Sequence, residues 1–365
     1  MASLRVNVDG LDFLNPFVIG SGPPSTNAKI MCKAFAAGWG GVVAKTTSLT
    51  DTEVVNVQPR YGKLKSNNVT VGFENIELIS DATFEDWEKW YRETKDAHPQ
   101  GILIGSIMES YEKDRWQELA GRTVAAGCDA LELNFSCPHG HPEKGMGAAM
   151  GQDPERVEIV TRWVVEAVDV PVWAKMTPNI TDITVPARAA RAGGAKGVAA
   201  INTILSCVGI NPRTLKPMPT VQGSSTFGGY SYTAVKPIAL RMVAEIAQAM
   251  PGFSISGIGG VTTSWDAAEF IMLGANTVQS CTGPMLHGFD MVTELQEGLL
   301  EVMEKHGFDT IESMRGHALP SLTTHHHLVE LQTEARAKKA EAKRFRDKEW
   351  GENDIKDAAS KLVSE

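Results

Sequence analysis

From residue 17 to about residue 305, short apolar runs alternate with longer amphipathic or alanine-rich stretches. The runs are FVIG (17–20), GVVAK (41–45), ILIGS (102–106), DALELN (129–134), PVWAK (171–175), GVAAIN (197–202), FSIS (253–256) and TVQSC (277–281). Their hydrophobicity is nearly continuous rather than alternating, which marks strands buried on both faces, as parallel strands are. Between them lie segments such as NAKIMCKAFAAG, DPERVEIVTRWVVEA and SWDAAEFIMLG, several opening at Asp, Ser or Asn and stopping at Gly. That is the usual chemistry of helix caps. Eight strand–helix units predict an α/β chain folded as a (β/α)8 TIM barrel. A doubly wound open sheet is the competing arrangement, and the lack of a GxGxxG after the first strand weighs against it.

The ends depart from this rhythm. LRVNVDGLDF predicts a hairpin around Asp9-Gly10 that plugs the bottom of the barrel. Long interruptions at about 46–84 and 203–232 both follow strands, so both belong to the top face, where such barrels place their chemistry. Residues 331–365 carry nine basic and eight acidic side chains and no sustained apolar stripe. The expected division is a barrel over 1–320 and a charged, helical or partly disordered extension over 321–365.

Composition narrows the class. Hydrophobic residues at 42% and charged residues at 22% are globular values. A net charge of −9 argues against nucleic acid or an anionic membrane held by bulk charge. The five cysteines, at 32, 128, 137, 207 and 281, form no CxxC pair, so neither a disulfide framework nor a metal set is expected. Scattered thiols fit a reducing compartment, and the N-terminus has no secretory pattern. The chain is read as soluble and cytoplasmic.

Polar residues at the carboxyl ends of barrel strands are the candidates for chemistry. Here they are Ser21-Gly22, Lys45-Thr46, Ser106, Asn134, Lys175, Asn202-Thr203, Gly257 with Gly259-Gly260, and Cys281-Thr282. Two lysines and two asparagines closing apolar strands are costly to desolvate without a ligand. A bound anion, or a heterocycle rich in donors and acceptors, would offset that cost. Glycine-rich turns after the last two strands let backbone N–H groups approach a phosphate. The loop NFSCPHGHPEKGMGAAMGQDP (134–154) carries Cys137, whose thiol is mainly protonated at neutral pH and is therefore a candidate proton donor. His139 and His141 flank that loop, and His325-His326-His327 reads as a surface run, since consecutive positions do not converge on a metal.

The order of NPFVIGSGP, GVVAKT, NIELIS, LELNFSCPHG, AKMTPNITD, INT, GIGG and QSCTG resembles FMN-dependent dihydropyrimidine dehydrogenases, over about residues 4–305. This flavin barrel is related to dihydroorotate dehydrogenase, and the likeness extends to the pyrimidine-binding subunit of the bacterial NAD-dependent type. The resemblance implies FMN as cofactor, with Ser21, Gly22, Lys45, Thr46 and Lys175 beside the ring and Gly259, Gly260, Cys281 and Thr282 at its phosphate. It implies Asn75, Glu77, Asn134, Asn202 and Thr203 as the pyrimidine-binding set. It also implies Cys137 as the acid that protonates C5 while hydride reaches C6. No metal ligand is implied. No cysteine follows Cys281, so the iron–sulfur motifs of the bacterial subunit are missing here. A separate electron-transfer protein is therefore expected, in a homodimer or heteromer. Two other readings compete: a dihydroorotate dehydrogenase, against which NIELIS argues, and an idle scaffold barrel, against which Lys45, Lys175 and Cys137 argue.

Overall fold

In the computed structural model, residues 2–49, 54–135, 148–349 and 359–363 are described. The eight apolar runs form strands β1 (Phe17–Ile19), β2 (Gly41–Val43), β3 (Ile102–Ile107), β4 (Ala130–Asn134), β5 (Val172–Lys175), β6 (Gly197–Ala200), β7 (Ser254–Ile258) and β8 (Thr277–Ser280). Each lies parallel to its neighbour in chain order, and β8 returns to β1 through Val278 opposite Phe17, which closes the barrel and excludes the open sheet. β1, β2 and β3 are buried at every position, as their unbroken hydrophobicity requires.

Among the described residues one longer helix follows each strand: α1 (Ala28–Ala37), α2 (Phe84–Ala97), α3 (Lys113–Ala125), α4 (Pro154–Val165), α5 (Thr184–Ala192), α6 (Lys236–Ala249), α7 (Ser264–Met272) and α8 (Met291–His306). Their ends follow the capping signals. The Asn27 side chain accepts from the Ile30 N–H, and α1 stops at Gly38 with φ 108°. Asp153 caps α4 through the N–H groups of Glu155 and Arg156, with Pro154 in the first turn. In α2, Phe84, Trp87, Tyr91 and Thr94 recur at helical spacing and are all buried. Each large apolar side chain buried this way contributes about 1.5–3 kcal/mol.

The N-terminal hairpin pairs Val6–Val8 with Leu11–Phe13 around Asp9 (φ 53°) and Gly10 (φ 91°). Two positive φ values are what a two-residue hairpin turn needs. The Asp9 carboxylate accepts hydrogen bonds from Trp173 Nε1 at 2.6 Å and Ser254 Oγ at 2.8 Å, tying the hairpin to β5 and β7.

The two long interruptions pair with each other. The first folds into a hairpin, Tyr61–Ser66 against Val69–Asn75, turning at Asn67 (φ 48°) and Asn68 (φ 63°). The second supplies Ile204–Ser206 and Gly228–Ser231, and the four strands make one antiparallel sheet. Glu74, fully buried, joins them by accepting from Ser206 Oγ at 2.8 Å and Val208 N at 3.1 Å. A Cβ at Gly72 would collide with the Tyr230 hydroxyl, so glycine lets the two insertions close on each other.

The chain divides into two units, Met1–Leu319 and Pro320–Glu365. The second is built on the helix His325–Glu349, whose described side chains are exposed. His326 and His327 both turn to Glu330 of that helix, each at 3.2 Å, as a surface run does. No described helix is long and apolar enough to cross a membrane.

Candidate active site

The carboxyl ends of the strands open into a cavity that is continuous with solvent. Ser21 and Gly22 line it after β1, Lys45 and Thr46 after β2, Asn134 and Lys175 at the ends of β4 and β5, and Asn202 and Thr203 after β6. Gly259 and Gly260 line it after β7, Cys281 and Thr282 after β8, and the paired insertions add Asn75 and Glu77. These fourteen candidates meet in one place, while the strand-end candidates Ser106 and Gly257 do not line the cavity. Cys137, His139 and His141 lie outside the described residues.

Both lysines are buried and both have carboxylate partners. Lys175 Nζ stands 3.0 Å from Glu132 Oε1, and Glu132 Oε2 accepts from Gln279 Nε2 at 2.9 Å. Lys45 Nζ lies 3.1 Å from Glu77 Oε2. The same carboxylate has Arg60 Nε 3.3 Å from its Oε1 and accepts from the Tyr61 hydroxyl at 3.2 Å. Burial pushes the Tyr61 phenol up to about 12, so it stays a hydrogen-bond donor at neutral pH. The desolvation cost that pointed to a bound ligand is thus offset within the protein, by Glu77 and Glu132.

The amides form a relay. Asn134 Nδ2 donates to Thr46 Oγ1 at 2.9 Å, and Asn202 Nδ2 donates to Asn134 Oδ1 at 3.1 Å. Thr46 Oγ1 in turn shares hydrogen bonds with Ser106 Oγ (2.8 Å) and Ser21 Oγ (3.3 Å). The Thr203 N–H is held by Asn202 Oδ1 at 2.8 Å, and Asn75 Nδ2 donates to the Gly229 carbonyl at 3.4 Å. Each amide is fixed in orientation by a bond to the protein, which pre-organises the polar wall for a planar ligand.

At the other end, Gly259 (φ 138°) and Gly260 (φ 79°) have backbone conformations that disfavour side chains. A Cβ at Gly260 would fall 2.8 Å from the Tyr232 carbonyl oxygen, so bare backbone faces the cavity there. Thr282 Oγ1 meets Ser231 Oγ at 2.8 Å, joining the turn after β8 to the insertion sheet. The Cys281 sulfur packs where a Gly22 Cβ would stand, and burial pushes its thiol up to about 11. Cys281 is a packing thiol in this wall, with no thiolate at neutral pH.

Glu132, Gln279, Arg60 and Tyr61 were not among the sequence candidates. Glu132 was readable: in LELN it stands two residues before Asn134, on the same strand face. Gln279 in TVQS is a polar residue in an otherwise buried strand, and its Oε1 is buried with no partner among the described residues. Arg60 and Tyr61 carried no local signal, because only the hairpin register brings them to Glu77.

The family model described as dihydroorotate dehydrogenase matches residues 3–303. The chain is 52% identical over 371 residues to the chloroplastic dihydropyrimidine dehydrogenase (NADP(+)) of Arabidopsis thaliana, covering 98% of this chain and 87% of that protein. It is 41% identical over 316 residues to the NAD-dependent dihydropyrimidine dehydrogenase subunit PreA of Escherichia coli K12, covering 86% of this chain and 76% of that protein. To the dihydroorotate dehydrogenase B (NAD(+)) catalytic subunit of Pyrococcus furiosus it is 36% identical over 316 residues, covering 86% and 98%.

Proposed function

The chain belongs to the dihydroorotate dehydrogenase family, and we propose that it is a flavin-dependent oxidoreductase interconverting uracil or thymine with the 5,6-dihydropyrimidine. One observation carries the reading: Asn75, Glu77, Asn134, Asn202 and Thr203 line the same cavity as Lys45, Lys175 and the glycine turns. Primary amides and a carboxylate match the N–H groups and carbonyls of a pyrimidine, and analogues lacking those groups are rejected. Identities of 52% and 41% to proteins named dihydropyrimidine dehydrogenases, against 36% to one named for dihydroorotate, favour the neutral pyrimidine.

The residues present fit FMN. Two buried lysines, bare backbone at Gly259 and Gly260, and the partnerless buried acceptor Gln279 Oε1 suit a ligand with a phosphate, carbonyls and donor groups. Bound there, FMN would supply hydride-transfer chemistry for the pyrimidine's C6. Lys45 and Lys175 would place positive charge beside its ring, Ser21, Gly22 and Thr46 would border it, and the Gly259-Gly260 and Cys281-Thr282 turns would hold its phosphate. Asn75, Glu77, Asn134, Asn202 and Thr203 orient the base. Cys137 donates the proton to C5 and, in the reverse direction, removes it as thiolate.

Electrons come from a separate electron-transfer protein, as the name of the Escherichia coli relative, a subunit, suggests. The barrel spans 1–320 and the extension 321–365, and within that extension the charged segment 331–365 is a candidate docking element. We place the chain in the cytoplasm, where its scattered thiols stay reduced. The test is flavin extraction from the purified protein, followed by titration with dihydrouracil, dihydrothymine and dihydroorotate in parallel. Extracted FMN and bleaching by the first two support the reading. Bleaching by dihydroorotate alone, or no flavin, overturns it.

A further inference from the structure

Glu77 stands between two cations. Lys45 reaches it from inside the cavity and Arg60 from behind the wall, at 3.1 and 3.3 Å. Arg60 is not part of the cavity lining, yet it is held firmly. The Ile76 N–H donates to the Arg60 carbonyl at 3.0 Å, Arg60 Nε donates to the Tyr61 hydroxyl at 3.1 Å, and the guanidinium lies 5.4 Å from the centre of the Tyr61 ring. Lys175 and Glu132 make a matched pair on the opposite side. In this ion-paired cluster Lys45, Arg60 and Lys175 share two carboxylates, Glu77 and Glu132, so the cluster itself carries one positive charge in excess. Asp81 also acts on Arg60, but it is exposed, where solvent screens it. Without Arg60, Glu77 would neutralise Lys45 and the excess would vanish.

We propose that Arg60 is a positioning residue that sets the electrostatic potential of the cavity: by sharing Glu77 with Lys45 it leaves net positive charge beside the cofactor ring, and so eases the cofactor's reduction. This rests on the flavin reading above. The Arg60 side chain is 26% exposed and so partly screened, but it acts at 3.3 Å on the carboxylate of Glu77, which is 5% exposed, and through that carboxylate on a group that gains negative charge when reduced. A strut that merely stapled the hairpin would alter stability and leave the potential where it was.

The experiment measures the two-electron reduction potential of FMN-loaded protein by equilibration with a reference dye. Arg60→Gln lowers the equilibrium constant for reduction about tenfold or more, a shift of about 30 mV to the negative. Glu77→Gln shifts it the opposite way, because two cations are then unopposed. The double variant returns toward the parent value, and Arg60→Lys stays close to it. Unchanged potentials in Arg60→Gln and Glu77→Gln overturn the proposal. Should Arg60→Gln fail to take up FMN, Glu77→Gln and the double variant decide alone: a positive shift in the first, reversed in the second, supports the proposal, and its absence overturns it. A parent chain that binds no FMN overturns the flavin reading itself, and the proposal with it.

Discussion

Glu77 has Lys45, Arg60 and Tyr61 all within 3.3 Å of its carboxylate. Two cations face its carboxylate, so under the proposed reading its hydrogen bond to a pyrimidine N–H would be charge-assisted. Glu77→Gln is expected to weaken pyrimidine binding by about 1.5–3 kcal/mol, the usual loss for a hydrogen bond to a charged group. FMN content should change less, and substrate titration of the flavin spectrum reads both. Unchanged pyrimidine affinity would make Glu77 a purely electrostatic element. Cys137 is tested through turnover. Cys137→Ala should lose about 10²–10⁴-fold, the range for a positioned general acid, with FMN retained. Cys137→Ser should also be impaired at neutral pH, because a hydroxyl is a far weaker acid than a thiol. Near-normal turnover in the alanine variant removes Cys137 from the mechanism. Residues such as Lys45, Lys175 and Asn134 were legible in the sequence because polarity at the end of an apolar strand is costly and therefore conspicuous. Arg60 was not, since nothing near residue 60 says that it will lie beside residue 77.

Elements were legible where their signals are local. Asp9-Gly10 announced the first hairpin, and the same turn anchors it, because Asp9 accepts from both Trp173 and Ser254. Asp9→Ala leaves those two donors without their charged acceptor, at a cost of about 2–3 kcal/mol. A barrel of this size should then melt several degrees lower, at roughly 2–4 °C per kcal/mol. The Asp9 contacts are with Trp173 and Ser254, neither of which lines the cavity, so flavin content and turnover at 25 °C should hold. A thermal melt with parallel flavin absorbance separates the two effects, and an unchanged midpoint would show that the hairpin hangs on its apolar side chains. The insertion sheet was illegible for the opposite reason. Gly229 pairs with Asn75 across more than 150 residues of chain, and the strand Ile204–Ser206 has only three residues. Pairings so distant and short leave no periodicity to read. The sequence located both interruptions on the top face but could not join them; buried Glu74, which does, is specified only by tertiary structure.

At the scale of the whole molecule, the open question is how electrons enter and leave. The family match and the cavity occupy the barrel, and no GxGxxG follows a strand and opens a helix anywhere in the chain. No cysteine follows Cys281, so these residues hold no iron–sulfur ligand set beyond the barrel. The expectation is one tightly held FMN, no iron, and negligible oxidation of NADH or NADPH by the purified chain. Metal analysis and a steady-state assay with uracil check it together. Stoichiometric iron, or several turnovers per second with nicotinamide and no added protein, would overturn the need for a partner. Silence with nicotinamides and rapid reaction with a reduced viologen would support it. The helix His325–Glu349 then acquires a role to test, since residues 331–365 balance nine basic against eight acidic side chains while the preceding residues carry net −10. Deleting 331–365 should leave viologen-driven turnover unchanged, because among the described residues the cavity is lined by the barrel unit. If the segment docks the electron donor, the same deletion should slow only the reconstituted reaction, through charge steering that fades as salt rises. Equal rates with and without it, at low salt, would leave docking to the barrel itself.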